Sequence, residues 1–312
     1  MRVAAIDIGT NSVLLLVAER RGADIVPLAE RATITRLGQG VDATRALNTE
    51  AVERTLACLA RYGEELKALG AERIEAVGTS AMRDAAGGDE FTNRAASLLG
   101  VRPRVISGLE EAELTFHGAL SGLPARPGPR VVFDIGGGST EIISSTAPHE
   151  AITAVSLDIG SVRLTERHIH SDPPQQVELD ATKADIRAQL ASVPRLASST
   201  EPLLVGVAGT VTTVAALVHD VAPYDAQRIH GSQLSYEDIQ RTIEQLSSIP
   251  VAARRALRAL DPARADVIVA GSLIVQEILL WAGHPTGAPA RSIIASDRGV
   301  RWGIAHKLLQ AK

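Results

Sequence analysis

The chain has 312 residues, of which 45% are hydrophobic, 22% charged and only 3% aromatic, with a formal net charge of −4 and one cysteine. That length predicts two domains of about 150 residues, each able to build a core without disulfides. The acidic balance excludes a general nucleic-acid binder, which needs a basic footprint, and the scarcity of aromatics excludes a base-stacking platform.

The chain enters a strand over 2–8 with no charged segment and apolar run before it, so a cytoplasmic location is expected. A second strand is predicted over 12–19 and a third near 24–30. Thr49 is read as the cap of a helix that runs to about Leu69 and stops at Gly70. Cys58 falls within that helical pattern and reads as a small buried hydrophobe. ERIEAVGTS predicts a strand into a turn, AMRDAAGG a short helical start, and DEFTNRAASLLG a helix ended by Gly100. VRPRVISG reads as a strand and LEEAELTFHGALSGL as a helix. Residues 122–130, GLPARPGPR, are rich in Gly and Pro and mark the expected boundary between domains 1–124 and 125–312.

The second half restarts with strands at 130–135 and 140–145, followed by a third run, EAITAVSLDIGSVRL. Helices are predicted over 175–192, 236–247, 251–260 and 264–283, with the strand EPLLVGVAG and the helix TVTTVAALVHD among them. The longest apolar stretch, 267–282, is interrupted by Gly271, Ser272, Gln276 and Glu277, so it reads as a buried helix and not a membrane span. ARSIIAS predicts a last strand and DRGVRWGIAHKLLQ a closing helix. This alternation makes an α/β chain.

Two segments repeat one another. Residues 3–18, VAAIDIGTNSVLLLVA, match residues 131–145, VVFDIGGGSTEIISS, so that Asp7 pairs with Asp134, Gly9 with Gly136 and Ser12 with Ser139. A duplicated strand–turn–strand predicts two similar halves facing a shared cleft. The turns Gly9-Thr10-Asn11-Ser12 and Gly136-Gly137-Gly138-Ser139-Thr140 suit phosphate. Glycine admits a ligand close to the backbone, successive N–H groups form an anion-binding concavity, and the hydroxyls add donors. The aspartates fit beside a phosphate only with a hard cation between them, Mg²⁺ first among the candidates. Glu141, whose counterpart is Leu14, gives the second turn the extra carboxylate. A third turn, Gly209-Thr210, opens a helix, where unpaired N–H groups and the dipole favour an anion. The alternative there is a simple threonine N-cap.

Ser107 and Glu110 have capping-box spacing. Glu111 lies about 100° further round the helix and is free of the cap. It reads as a base for a water molecule or as an acid complementing the helix dipole. Arg83 reads as a phosphate clamp or a surface arginine. The eight histidines show no metal-ligand spacing, and neither a nucleophile elbow nor a Walker A sequence occurs.

The segments DIGTNSVLLLV, GTSAMRD, SGLEEAELTFHG, VVFDIGGGSTEII, AGTVTTVAAL, RADVIVAG and SDRGVRWG resemble, in order and spacing, those of the exopolyphosphatase/guanosine-pentaphosphate phosphohydrolase (Ppx/GppA) family, in its short two-domain form. The resemblance covers essentially the whole chain. It implies two ribonuclease-H-like domains of the actin/Hsp70/sugar-kinase superfamily facing an interdomain cleft. It implies Mg²⁺-dependent hydrolysis of terminal phosphoanhydride bonds of inorganic polyphosphate. The alternatives are guanosine pentaphosphate as substrate or an actin/Hsp70-like nucleotide switch. By the same resemblance Glu111 matches the catalytic glutamate, Asp7, Asp134 and Glu141 match metal-supporting carboxylates, and the three turns and Arg83 match phosphate contacts. A homodimer is suggested only by what related proteins tend to do. No nucleic-acid or membrane partner is expected.

Overall fold

In a computed structural model of the protein, which describes residues 1–22, 24–124, 126–147, 150–195, 201–283 and 289–310, the chain divides into two units. The first is Met1–Gly118 with Gly299–Lys312, and the second is Ala119–Arg298.

Among the described residues the first unit carries a five-stranded sheet of β1 (Arg2–Ile8), β2 (Ser12–Arg21), β3 (Asp24–Ile34), β4 (Arg73–Gly78) and β5 (Arg104–Val105), in the order β3-β2-β1-β4-β5. β1, β2 and β3 form an antiparallel meander, while β4 and β5 run parallel to β1. β1 and β2 are almost continuously apolar because both faces are covered. Ile6, Ile8, Val13 and Leu15 pack with Leu56, Leu59 and Leu66 of the helix Thr49–Ala68. Val3, Ala5, Leu16 and Ala18 pack with Trp302, Ile304 and Ala305 of the helix Val300–Gln310. The Thr49–Ala68 helix is capped by Asn48, one residue before the expected cap, whose side chain accepts from Glu50 N and Ala51 N.

The expected domains, 1–124 and 125–312, need correction. The closing helix supplies the second cover of the first sheet, so it belongs to the first unit. Arg301 Nη2 lies 2.9 Å from Glu30 Oε2, and a Cβ at Gly303 would fall 2.1 Å from the Leu114 carbonyl, a contact only glycine allows. The other division falls between Gly118 and Ala119, inside the helix Gly108–Leu120, and not in the Gly/Pro-rich 122–130 stretch. Ala125, at the expected boundary, lies outside the described residues.

The second unit carries β6 (Arg130–Ile135), β7 (Thr140–Ser145), β8 (Thr153–Leu157), β9 (Leu203–Val207), β10 (Gln233–Ser235) and β11 (Ser292–Ala295), in the order β10-β11-β9-β6-β7-β8. β8-β7-β6-β9-β11 repeats the first sheet: an antiparallel meander, then two parallel strands. β10 adds an antiparallel edge. Both units therefore have the ribonuclease-H-like strand order. The apolar stretch forms the helix Ile268–Ala282, buried over Ile268–Leu279 as expected, although it starts after a 3₁₀ turn at Pro262–Arg264. The helix expected over 251–260 is only Val251–Arg254. Among the described residues no helix is long and apolar enough to cross a membrane.

Candidate functional site

The two glycine turns are built alike. Gly9 N donates to Ser12 O at 3.0 Å, and Gly136 N donates to Ser139 O at 3.0 Å. Behind each turn a second segment takes up the carbonyls. In the first unit Thr35 N and Arg36 N donate to Asn11 O (3.0 and 2.9 Å), and Gly38 N donates to Thr10 O (2.9 Å). In the second unit Ser161 N donates to Gly136 O (3.0 Å), and Val162 N and Arg163 N donate to Gly137 O (2.9 and 3.0 Å). Arg163 Nε adds a bond to Gly138 O at 2.6 Å. In a trans peptide the N–H points opposite to the C=O. Carbonyls tied back in this way turn the following N–H groups outward, which makes a nest for an anion.

The backing segments approach closely. A Cβ at Gly160 would fall 2.4 Å from Gly137 O, and one at Gly38 would fall 2.3 Å from Thr10 Cγ2. Gly160–Arg163 and Thr35–Gly38 lie outside the site residues that the sequence predicts. The available signal is a third Asp-Ile-Gly, at 158–160, followed by Ser161.

Gly9, Thr10, Asn11 and Ser12 form the first turn, where Asn11 is buried and its Oδ1 has no hydrogen-bond partner among the described residues. Gly136, Gly137, Gly138 and Ser139 form the second. Thr140 does not join them: it is fully buried at the start of β7, and its hydroxyl donates to the Ile159 carbonyl at 2.6 Å. Gly209 and Thr210 open the helix Ala208–Val218, whose N-cap, Val207, provides no side-chain cap. Ala208 holds a left-handed φ of 68°, and a Cβ at Gly209 would fall 2.1–2.3 Å from the Arg264 guanidinium. The Thr210 side chain is buried against Gly271, which leaves its backbone N–H as the only group it could offer to an anion.

At the start of the helix Gly108–Leu120 the two neighbouring glutamates separate. Ser107 Oγ accepts from Glu110 N at 3.2 Å, which is half of the expected capping box. The Glu110 carboxylate turns to Arg104 instead, with bonds of 2.8 and 2.7 Å, and this pairing holds its carboxyl below the usual range. Glu111 is buried, 7% exposed, and its N–H donates to Ser107 O. Arg83, on the helix Ser80–Asp84 that follows β4, brings Nη1 to 3.4 Å from Glu111 Oε2 and 3.3 Å from the Ile106 carbonyl. The expected phosphate clamp is thus a partner of the expected base.

Asp134 on β6 stands directly opposite Glu141 on β7, and Glu141 stands opposite Ser156 on β8. Glu141 is 2% exposed and accepts from Ser156 Oγ at 2.8 Å. Two carboxylates facing each other across a strand pair repel, and a hard cation relieves that repulsion. The donor set is all oxygen. Among the described residues no three His, Cys, Asp or Glu side chains make a metal-binding group. A carboxylate pair of this kind suits Mg²⁺, which takes one or two carboxylates together with water and phosphate oxygens. Asp7, the third expected metal ligand, lies on β1 opposite Leu14 and Val77, so its own sheet gives it no facing carboxylate.

The model of the Ppx/GppA phosphatase family matches residues 16–312. The chain is 42% identical over 322 residues to exopolyphosphatase 2 of Mycobacterium tuberculosis, with 98% of each chain covered. Among solved structures it is similar to an exopolyphosphatase-like protein (34% identity, TM-score 0.91, 99% of each chain covered). It is also similar to the Ppx/GppA family member of Aquifex aeolicus (33% identity, TM-score 0.81, covering 99% of this chain and 98% of that one).

Proposed function

The chain belongs to the Ppx/GppA phosphatase family, and on that premise we propose that it is an exopolyphosphatase, releasing orthophosphate from the ends of inorganic polyphosphate. The observation that carries the proposal is the matched pair of glycine turns, each closed by the same Gly N–H to Ser carbonyl bond and each with its carbonyls tied back. A polyanion without a base or a sugar is recognised by backbone N–H groups. Similarity over nearly the whole chain to a protein named exopolyphosphatase supports this choice of substrate.

The reaction needs charge stabilisation and a well-placed water more than covalent catalysis. Glu111, buried and held by Arg83, orients that water and takes its proton as oxygen attacks the terminal phosphorus. The bridging P–O bond breaks, and the shortened chain leaves on its oxygen. The N–H groups of Gly137, Gly138 and Ser139 in the second unit suit non-bridging phosphate oxygens, and those of Asn11 and Ser12 form a nest of the same kind in the first unit. Asp134 and Glu141 would hold a Mg²⁺ ion, which when bound neutralises phosphate charge.

Orthophosphate release measured side by side from long-chain polyphosphate, guanosine pentaphosphate and ATP, with Mg²⁺ and with chelator, tests the proposal. The highest kcat/KM is expected on polyphosphate, with release abolished by the chelator. A preference for either nucleotide would contradict it.

A further inference from the structure

We infer that Ser156 is a positioning residue that sets the affinity of Glu141 for a divalent cation, an inference that rests on reading Asp134 and Glu141 as the cation-holding pair. The register of β6, β7 and β8 aligns Asp134, Glu141 and Ser156 in one row across three adjacent strands, on one face of the sheet. Ser156 Oγ donates to Glu141 Oε1 at 2.8 Å. A glutamate has three side-chain torsions to fix. Its neighbour across the strand pair, Asp134, is a second carboxylate. The serine hydroxyl fixes the carboxylate plane and leaves its charge intact.

Two further facts favour a functional hydroxyl over a packing one. Ser156 is exposed on β8, the edge strand of its sheet, where serine has neither strand preference nor core contact to recommend it. The equivalent row of the first sheet is Asp7, Leu14 and Ala32. Where leucine replaces the glutamate, alanine replaces the serine. Glutamate and serine are present together in one row and absent together in the other.

The test is a titration of the full chain with Mn²⁺ in the absence of substrate, with free Mn²⁺ read by electron paramagnetic resonance. Ser156→Val and Ser156→Thr have nearly the same shape and both favour strands, so they differ chiefly in the hydroxyl. Ser156→Val is expected to weaken Mn²⁺ binding roughly 10- to 100-fold, the usual effect of losing a partner of a metal-binding side chain. Ser156→Thr is expected to stay close to wild type, and Glu141→Gln to lose binding. If Ser156→Val binds as tightly as Ser156→Thr while Glu141→Gln has lost binding, the inference falls and the carboxylate reading stands. If wild type takes up no Mn²⁺, or Glu141→Gln binds as tightly as wild type, both fall.

Discussion

Arg83 Nη1 lies 3.4 Å from Glu111 Oε2 and also contacts the Ile106 carbonyl, so one guanidinium joins the end of β4 to the buried glutamate. Taking away one partner of a buried charged pair leaves the other desolvated, at a cost of about 1–3 kcal/mol. Arg83→Met is therefore expected to lower the unfolding free energy by about that amount and to reduce kcat about tenfold or more. Arg83→Lys should recover part of both, since it restores the charge without the fork. Urea unfolding and initial rates on the same preparations check this.

The two backing segments differ in what opposes a new methyl group. At Gly160 the obstacle is the backbone carbonyl of Gly137, which cannot move without moving the turn. At Gly38 it is chiefly the Thr10 side chain, which can rotate. Gly160→Ala is expected to lower stability by about 1–3 kcal/mol and to raise KM for polyphosphate. Gly38→Ala should do less of both. Thermal melts and Michaelis curves for the two variants decide the order.

His230 provides a pH dependence of folding that is separate from catalysis. Its Nδ1 lies 3.2 Å from Ser296 Oγ and 3.3 Å from Asp297 Oδ1. Burial, with the nearby Arg298 charge, pushes its pKa down from 6.5 to about 4. Between these values the unfolded chain binds a proton that the native chain does not, so stability rises with pH across the window. The contribution is present above pH 6.5 and is lost as pH falls toward 4, reduced by the Asp297 carboxylate, which favours the protonated ring. Urea midpoints at pH 7 and pH 4.5 should differ more for wild type than for His230→Gln.

The duplication was legible in the sequence because its parts sit at fixed offsets. Asp7 and Asp134, Gly9 and Gly136, and Ser12 and Ser139 occupy equivalent places in equivalent turns. Glu111 was separable from Glu110 because a helix places consecutive residues on different faces. What failed depended on partners far away in the chain. The apolar residues around Trp302 announce burial but not the sheet they cover. Thr140 and Thr210 have the right chemistry for phosphate, yet strand register and helix packing direct their side chains to Ile159 and Gly271. Ser156 has meaning only once β8 is aligned beside β7.

In the proposed mechanism Glu111 activates water while the turns bind phosphate. Orthophosphate release from polyphosphate by Glu111→Gln, measured beside equilibrium polyphosphate binding by the same protein, tests it most directly. The variant is expected to lose roughly 10²- to 10⁴-fold in kcat and to bind polyphosphate as wild type does. Release within a few-fold of wild type would contradict the account.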